Sequence, residues 1–465
     1  MEDGVYRLSG DDLQSAFPDG ITLSSIDPAT LQLFERGQEV PLDVEATTEL
    51  DSGDEIVFVG LRNRGDDEEW AYNDNAEWQS STHISLYTDT TTYWLTWGQT
   101  DEGLRYASDD TTPTTPTTSL RDTARAEYDT RYYFGRPNQS NTPIYSESEG
   151  YYWHRFTHNN TAERTFSHTL PVERRDANAS DPLNLQIRFD SETNSCHRVE
   201  VEGRLIDNGG TEYESLGTLS WQGFARQTFT ADVDASRIPD DGLDVRITSF
   251  NDGFDSGCPP PASTPNYVLL DWIAADYDRT LHARDADWQH LVLPDTQPYT
   301  LTLTGHTGTP VVYGPATARK ATADGASQVT LDNPESDAAY WAVGDSGYQS
   351  PVALTPHVAT NWTDEGAHAA DYILIAPPFD YGRPSPVAIR RFVHSTEDWS
   401  TTPQFLAIWG DAQHPIYTNG VDDRTPDWSV PSFGYSPSDG WFAMQQGGIG
   451  DWSEFMAVGR IPART

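Results

Sequence analysis

The sequence predicts a mainly β, multidomain protein whose last hundred or so residues open an α/β unit. Three observations predict this. Apolar residues recur at every second position through the middle of the chain, as at Leu183, Leu185, Ile187 and Phe189, which is the period of a half-buried strand. Gly and Pro, 35 and 31 of 465 residues, suit a turn-rich β protein better than a helical one. After about residue 360 the alternation gives way to short continuous apolar runs with a helix start between them, the pattern of buried parallel strands.

A chain of this length should divide into three or four domains of about 100–200 residues. The first, residues 1–108, mixes strands and turns. Gly4 to Leu8, Asp54 to Gly60 and Thr91 to Gly98 read as strands rich in β-branched and aromatic residues. Ser9-Gly10-Asp11-Asp12-Leu13 reads as a cap and a short helix, because a side-chain oxygen there takes up free amide protons. Residues 109–124 contain a run of only Thr and Pro, Thr111 to Thr118, with nothing large to bury. It is expected to be a linker or a long exposed loop.

Residues 125–280 are expected to form a β-sandwich of jelly-roll type. Leu243, Val245 and Ile247 alternate, as do Val199 and Val201, with turn clusters such as Asp207-Asn208-Gly209-Gly210 between runs. Tyr267 to Ile273 is apolar on both faces and so central. Residues 281–358 hold a few short strands, at Tyr299 to Leu303, Val311 to Tyr313 and Ala339 to Val343, and read as a small β domain. From 359 to 465, Asp371 to Pro378, Phe405 to Asp411 and Phe455 to Arg460 are three buried strands. A helix opens at Ser385-Pro386, with Pro at its first position.

Charge narrows the partners. Asp and Glu number 72 against 29 Lys and Arg, a net charge of −43, and Lys320 is the one lysine. Such a chain repels phosphates and anionic lipid heads, so nucleic acid and membrane surfaces are poor partners. At molar salt the Debye length is about 3 Å and the self-repulsion largely vanishes. The acids are spread along the chain rather than gathered in a tail, so the expectation is a high-salt environment. No run of 18 apolar residues exists to span a membrane. The start Met1-Glu2-Asp3-Gly4 lacks a basic and apolar leader, so a leader is expected upstream or the protein is cytoplasmic. Cys196 and Cys258 suit either a single disulfide or two inert buried thiols. His197 follows Cys196 directly, but strand neighbours point to opposite faces and cannot act as a pair.

The C-terminal segments resemble the gingipain-type cysteine peptidases. Asp371 to Pro378, Pro386 to Phe392, Leu406 to Asp411, Pro437-Ser438-Asp439 and Val458 to Pro462 follow in the family's order. The related sortases of the type IX secretion system are similar too. Gly4 to Leu8, Asp27 to Gly37, Asp54 to Gly60 and Tyr93 to Gly98 look like the β region that precedes the peptidase there. The resemblance implies a secreted or cell-surface protein and a caspase-like fold. In that fold a histidine base and a cysteine thiolate sit on neighbouring strand ends, and the thiolate attacks a peptide carbonyl. It implies a protein or peptide substrate and contact with secretion machinery. The family's histidine and cysteine follow the strand matching Met456 to Pro462, and no cysteine follows Cys258. Residues 1–465 alone are therefore expected to be inactive. The family also has another helix and strand between its first strand and the helix matching Pro386; here Pro377 to Arg383 joins the two almost directly.

Candidate site residues are few. Asp411 and His414 lie where the second parallel strand ends, the place where α/β sheets hold ligands. Asp439 could shape a cleft or help hold an ion, against the plainer reading as a turn residue. Calcium is the ion that loops such as Val421-Asp422-Asp423 would take through their hard oxygens. Gly-x-Ser-x-Gly, His-Glu-x-x-His and Cys-x-x-Cys patterns are absent. Two functions stand: the front part of a cysteine endopeptidase or sortase-like transpeptidase, or a non-catalytic β-sandwich binding protein for carbohydrate or protein. Trp153, Trp221 and Trp272 would suit sugar stacking in the second, though at strand positions they read first as core.

Overall fold

The computed structural model describes residues 3–17, 20–66, 79, 81–85, 89–109, 112–133, 150–157, 160, 162–206, 212–251, 266–284, 286–356, 372–375, 386–396, 403–409, 411–413, 429–431, 439–443 and 456–461. The chain opens with β1 (Gly4–Ser9) and α1 (Gly10–Ala16). The helix starts where the sequence predicts, through a reciprocal cap. The Asp12 amide donates to the Ser9 hydroxyl, and the Ser9 amide donates to the Asp12 carboxylate. Next come β2 (Gln32–Glu35), β3 (Gln38–Val40), β4 (Asp43–Val44), β5 (Glu55–Gly60) and β6 (Tyr93–Thr96). They form two three-stranded sheets, β1-β5-β4 and β3-β2-β6.

β5 is buried on both faces. Ile56 and Phe58 join Tyr6, Leu8, Leu13 and Leu33 in one core. Val57 and Val59 face the other way, where they meet Val5, Tyr106, Tyr313, Trp341 and Val343. That second cluster joins the N-terminal region to residues 281–358, which the sequence pattern alone separates into a small domain. Backbone bonds from the Arg7 amide to the Gln349 carbonyl and from the Gln349 amide to the Val5 carbonyl reinforce the joint. Lys320 adds an ion pair to Asp43.

Residues 112–118 of the Thr/Pro stretch are mostly exposed, but they are not a bare linker. β7 (Ala107–Ser108) and β8 (Pro116–Thr117) pair with strands of the small β domain, and β9 (Ser119–Glu127) belongs to the jelly roll. The short pair β10 (Arg131–Tyr132) and β11 (Tyr151–Tyr152) follows.

Eight strands then build the sandwich: β12 (His154–Thr157), β13 (Thr165–Leu170), β14 (Leu183–Ser191), β15 (Cys196–Arg204), β16 (Tyr213–Gln222), β17 (Gln227–Val233), β18 (Leu243–Phe250) and β19 (Tyr267–Thr280). One sheet runs β12-β19-β14-β17 with β9 added beside β19; the other runs β13-β18-β15-β16. First, eighth, third and sixth against second, seventh, fourth and fifth is the strand order of a jelly roll. The alternating residues do what their period predicts: Leu183, Leu185, Ile187 and Phe189 face Val199, Val201, Leu243, Val245 and Ile247 in one core. β19 is central, as expected, with β14 on one side and β12 and β9 on the other. A bulge opposite Arg188 shifts its phase, so Val268 and Leu270 before it and Ile273, Ala275 and Tyr277 after it all point into the core.

The small β domain has more strands than the sequence suggests: β20 (Trp288–Leu293), β21 (Pro298–Thr302), β22 (Val311–Gly314), β23 (Arg319–Thr322), β24 (Gln328–Asp332) and β25 (Ala338–Val343). They lie in two sheets, β20-β25-β22-β23-β7 and β24-β21-β8. β23, Arg319-Lys320-Ala321-Thr322, buries only Ala321 and so carries almost no apolar signal.

Candidate functional site

The C-terminal residues form the α/β unit that the sequence predicts. β26 (Tyr372–Ile375), β27 (Phe405–Trp409) and β30 (Ala457–Ile461) make a parallel sheet in the order β26-β27-β30. The short parallel pair β28 (Asp411–Gln413) and β29 (Ser429–Pro431) lies between β27 and β30 in sequence. The crossover from β26 to β27 carries α2 (Pro386–Ser395), with Pro386 at its first position. Ile389 and Val393, one turn apart, are buried, as are Leu406, Ile408, Phe442 and Met456. α2 packs on the single turn Asp439–Ala443, which itself lies against β30.

Arg390 is the polar exception on that helix face. Burial pulls its guanidinium down to about 10, and its Nε donates to His394 Nε2 one turn later at 3.3 Å. An imidazole nitrogen that accepts this bond carries no proton of its own.

The carboxyl ends of the three strands, Ile375, Trp409 and Ile461, define the edge where such sheets place ligands. Asp411 sits there, as the first residue of β28, two positions after Trp409. His414 lies outside the described residues, as does the Val421-Asp422-Asp423 loop. Asp439 is held by a bidentate pair: Arg460 Nε reaches Oδ2 at 2.8 Å and Nη2 reaches Oδ1 at 2.6 Å. This clamp fastens the Asp439–Ala443 turn to the last residues of β30. Each Asp439 oxygen thus already accepts a bond. Among the described residues no group of three or more His, Cys, Asp or Glu side chains could hold a metal. Arg460 is the residue that sequence reasoning missed; its place in Val458-Gly459-Arg460 was visible, its partner was not.

The two cysteines belong elsewhere. Cys196 is buried and disulfide-bonded at the start of β15, far in sequence from the parallel sheet. Cys258 lies outside the described residues. His197 is wholly buried beside Trp221, with Nε2 at 2.8 Å from the Thr193 carbonyl and Nδ1 at 2.5 Å from the Asn266 side chain. It packs the jelly roll.

The model of Peptidase family C25 matches residues 367–465, which is the segment holding the parallel sheet. Dimeric latent PorU from Porphyromonas gingivalis superposes with a TM-score of 0.65 at 14% identity, over 100% of this chain and 47% of that one. The chain thus spans about half the length of that protein. A carbohydrate binding module of Cel9A from Ruminococcus flavefaciens FD-1 matches 27% of this chain and 92% of its own, at 11% identity and a TM-score of 0.20. No curated protein sequence matches. In family match over its last residues and in fold along its length, the chain is similar to the gingipain-type C25 peptidases and to PorU in particular.

Proposed function

We propose that the chain is the front part of a secreted gingipain-like cysteine endopeptidase or sortase-like transpeptidase that works in concentrated salt. One observation carries the reading: the family match begins at residue 367, just before the first strand of the one sheet whose described strands are all parallel and share an α/β crossover. The substrate is then a protein or peptide, and secretion machinery is the natural partner. The β domains serve as docking surface and scaffold, and the carboxyl edge of β26, β27 and β30 as the floor of the cleft. The thiolate and its histidine base belong to the half of the PorU-like length that this chain does not span. The acid excess, spread along the chain, supports the high-salt setting.

The alternative, a carbohydrate-binding jelly roll, would need open aromatic faces. Trp221 and Trp272 are buried, and Trp272 is flanked by the guanidinium of Arg125 at 4.3 Å. Trp153 packs among Tyr128, Phe166 and His168. These three residues give that reading no support.

Two measurements test the proposal. Purified residues 1–465 should cleave no peptide and take no active-site thiol label under native conditions; turnover that survives repurification would sink that part. The product of the whole reading frame, isolated from its source, should be labelled at one cysteine beyond Thr465, and a product without such a cysteine argues for a binding protein.

A further inference from the structure

Of the 465 residues 29 are Lys or Arg, and Lys320 is the one lysine among them. It stands on β23 opposite Tyr313 of β22, so the two side chains share one face of that sheet. Asp43, on the two-residue β4 of the N-terminal region, meets them there across 277 positions of sequence. Lys320 Nζ lies 2.5 Å from Asp43 Oδ1, and the Tyr313 hydroxyl donates to Asp43 Oδ2 at 3.0 Å. The Lys320 and Asp43 side chains are only 24% and 16% exposed. Tyr313 is buried, its ring 5.1 Å from that of Tyr106, and Tyr348 packs against the same cluster. None of these residues lies in the parallel sheet, so the contact is independent of any peptidase activity.

As a plain ion pair this contact would do little in brine. Single pairs near the surface contribute little to stability, and at 1 M salt the Debye length is about 3 Å. Arginine, which holds every other Lys-or-Arg position of the chain, makes the better pair, because its planar fork binds a carboxylate through two bonds. Lysine differs in what its nitrogen can do. Once it gives up its proton it is a nucleophile, whereas a guanidinium stays charged.

We propose that Lys320 and Asp43 condense to an intramolecular isopeptide bond that ties the N-terminal sheets to the small β domain. Nζ forms a bond to Cγ, and the bond from Cγ to Oδ1 breaks. Two protons pass from Nζ to Oδ1 across their contact, and Oδ1 leaves as water, while Oδ2 remains as the amide carbonyl oxygen. An ammonium and a carboxylate thus become an amide and one water, with no oxidant, reductant or activated co-reactant. Tyr313 serves the step by donating to Oδ2, where negative charge gathers as Nζ adds to Cγ. Burial raises the Tyr313 phenol above its usual range, so it keeps the proton that it donates. Condensation of a free acid and amine runs uphill in water. Well-oriented partners within one molecule reach effective molarities of about 10⁵–10⁸ M, which offsets that. The resulting bond holds at any salt concentration.

The test refolds the whole 465-residue chain in about 1 M salt, where long-range charge repulsion is screened, then denatures and reduces it for intact mass spectrometry. The chain should be lighter than its sequence by one water. A tryptic digest should hold a branched peptide that joins the segments around Asp43 and Lys320. Because Lys320 is the one lysine, an amine-acylating reagent should label the denatured chain at its N-terminal amine alone. Asp43→Ala should restore the full mass. Lys320→Arg should do the same, and it is the decisive variant because it keeps the ion pair and with it the fold. Tyr313→Phe should slow the loss of water after refolding by about a hundredfold, the usual effect of removing one oxyanion donor. A parent chain of full mass whose Lys320 is acylated overturns the proposal, as does a loss of water that persists in Lys320→Arg. An unchanged rate in Tyr313→Phe overturns the part given to Tyr313.

Discussion

Asp190 and Arg226 meet on the jelly roll with both side chains almost out of water, 0% and 7% exposed, and Arg226 Nε lies 3.1 Å from Oδ2. Taking two charges out of water is costly, and the pair repays this only while both members are present. Arg226→Ala should therefore cost about 3–5 kcal/mol in urea unfolding. The double variant Arg226→Met with Asp190→Leu should recover most of that loss, and a double variant as weak as the single one would refute the argument. His83 gives a residue-scale pH dependence. Burial, then the neighbouring Arg62 and Arg64, lower it from 6.5 to about 3. The folded state thus keeps the imidazole neutral while the unfolded chain protonates it below about pH 6.5. Stability from this residue is present above pH 6.5 and is lost as pH falls from there toward 3. A His83→Gln variant should show a flatter melting-temperature curve between those limits; an unchanged slope would refute the assignment. Neither pairing is legible in the sequence, because Asp190 and Arg226, or His83 and Arg62, are joined by folding and not by spacing.

At the scale of elements, the sequence is most informative where periodicity is strong. β14, β15, β18 and β19 stand where their alternation places them, and α1 starts at the capping Ser9. The parallel strands β26 and β27 lie within the runs that read as such, β30 overlaps its run and extends one residue past it, and the helix α2 opens at the Pro386 that marks its start. β23 and β8 escape sequence reasoning, since such short strands carry few apolar residues of their own, and β24 is missed although Val329 and Leu331 alternate within its five residues. The clamp between Asp439 and Arg460 is the element-scale tie of the candidate site. Arg460→Ala should release the Asp439–Ala443 turn and lower local stability by about 1.5–3 kcal/mol, the worth of hydrogen bonds to a charged group. Faster amide exchange confined to residues 439–443 and 457–461 is the expected result. Exchange unchanged there would mean that the packing of Phe442 and Ala443 holds the turn alone.

For the whole molecule, net charge and core architecture pull in opposite directions. A net charge of −43 opposes compaction at low salt, and added salt removes that penalty. The melting temperature should rise steadily as KCl is raised from about 0.1 M to about 1 M, the span over which the Debye length falls from about 10 to about 3 Å. A flat or falling curve would count against adaptation to brine. The acids spread along the chain, the turn-rich β character and the jelly-roll alternation were all determined by the sequence alone, because composition and local period are properties of short stretches of chain. So was the switch to α/β near residue 360, which proline and continuous apolar runs announce. Only the tertiary structure decided which strands meet. It placed β5 between two cores, drew β7 and β8 out of an apparent linker, and fused the first domain with residues 281–358. The physical reason is that strand edges carry the same N–H and C=O groups whatever their sequence. A period therefore tells a residue which face to bury, while the partner across that face is chosen by the long-range packing of the whole chain.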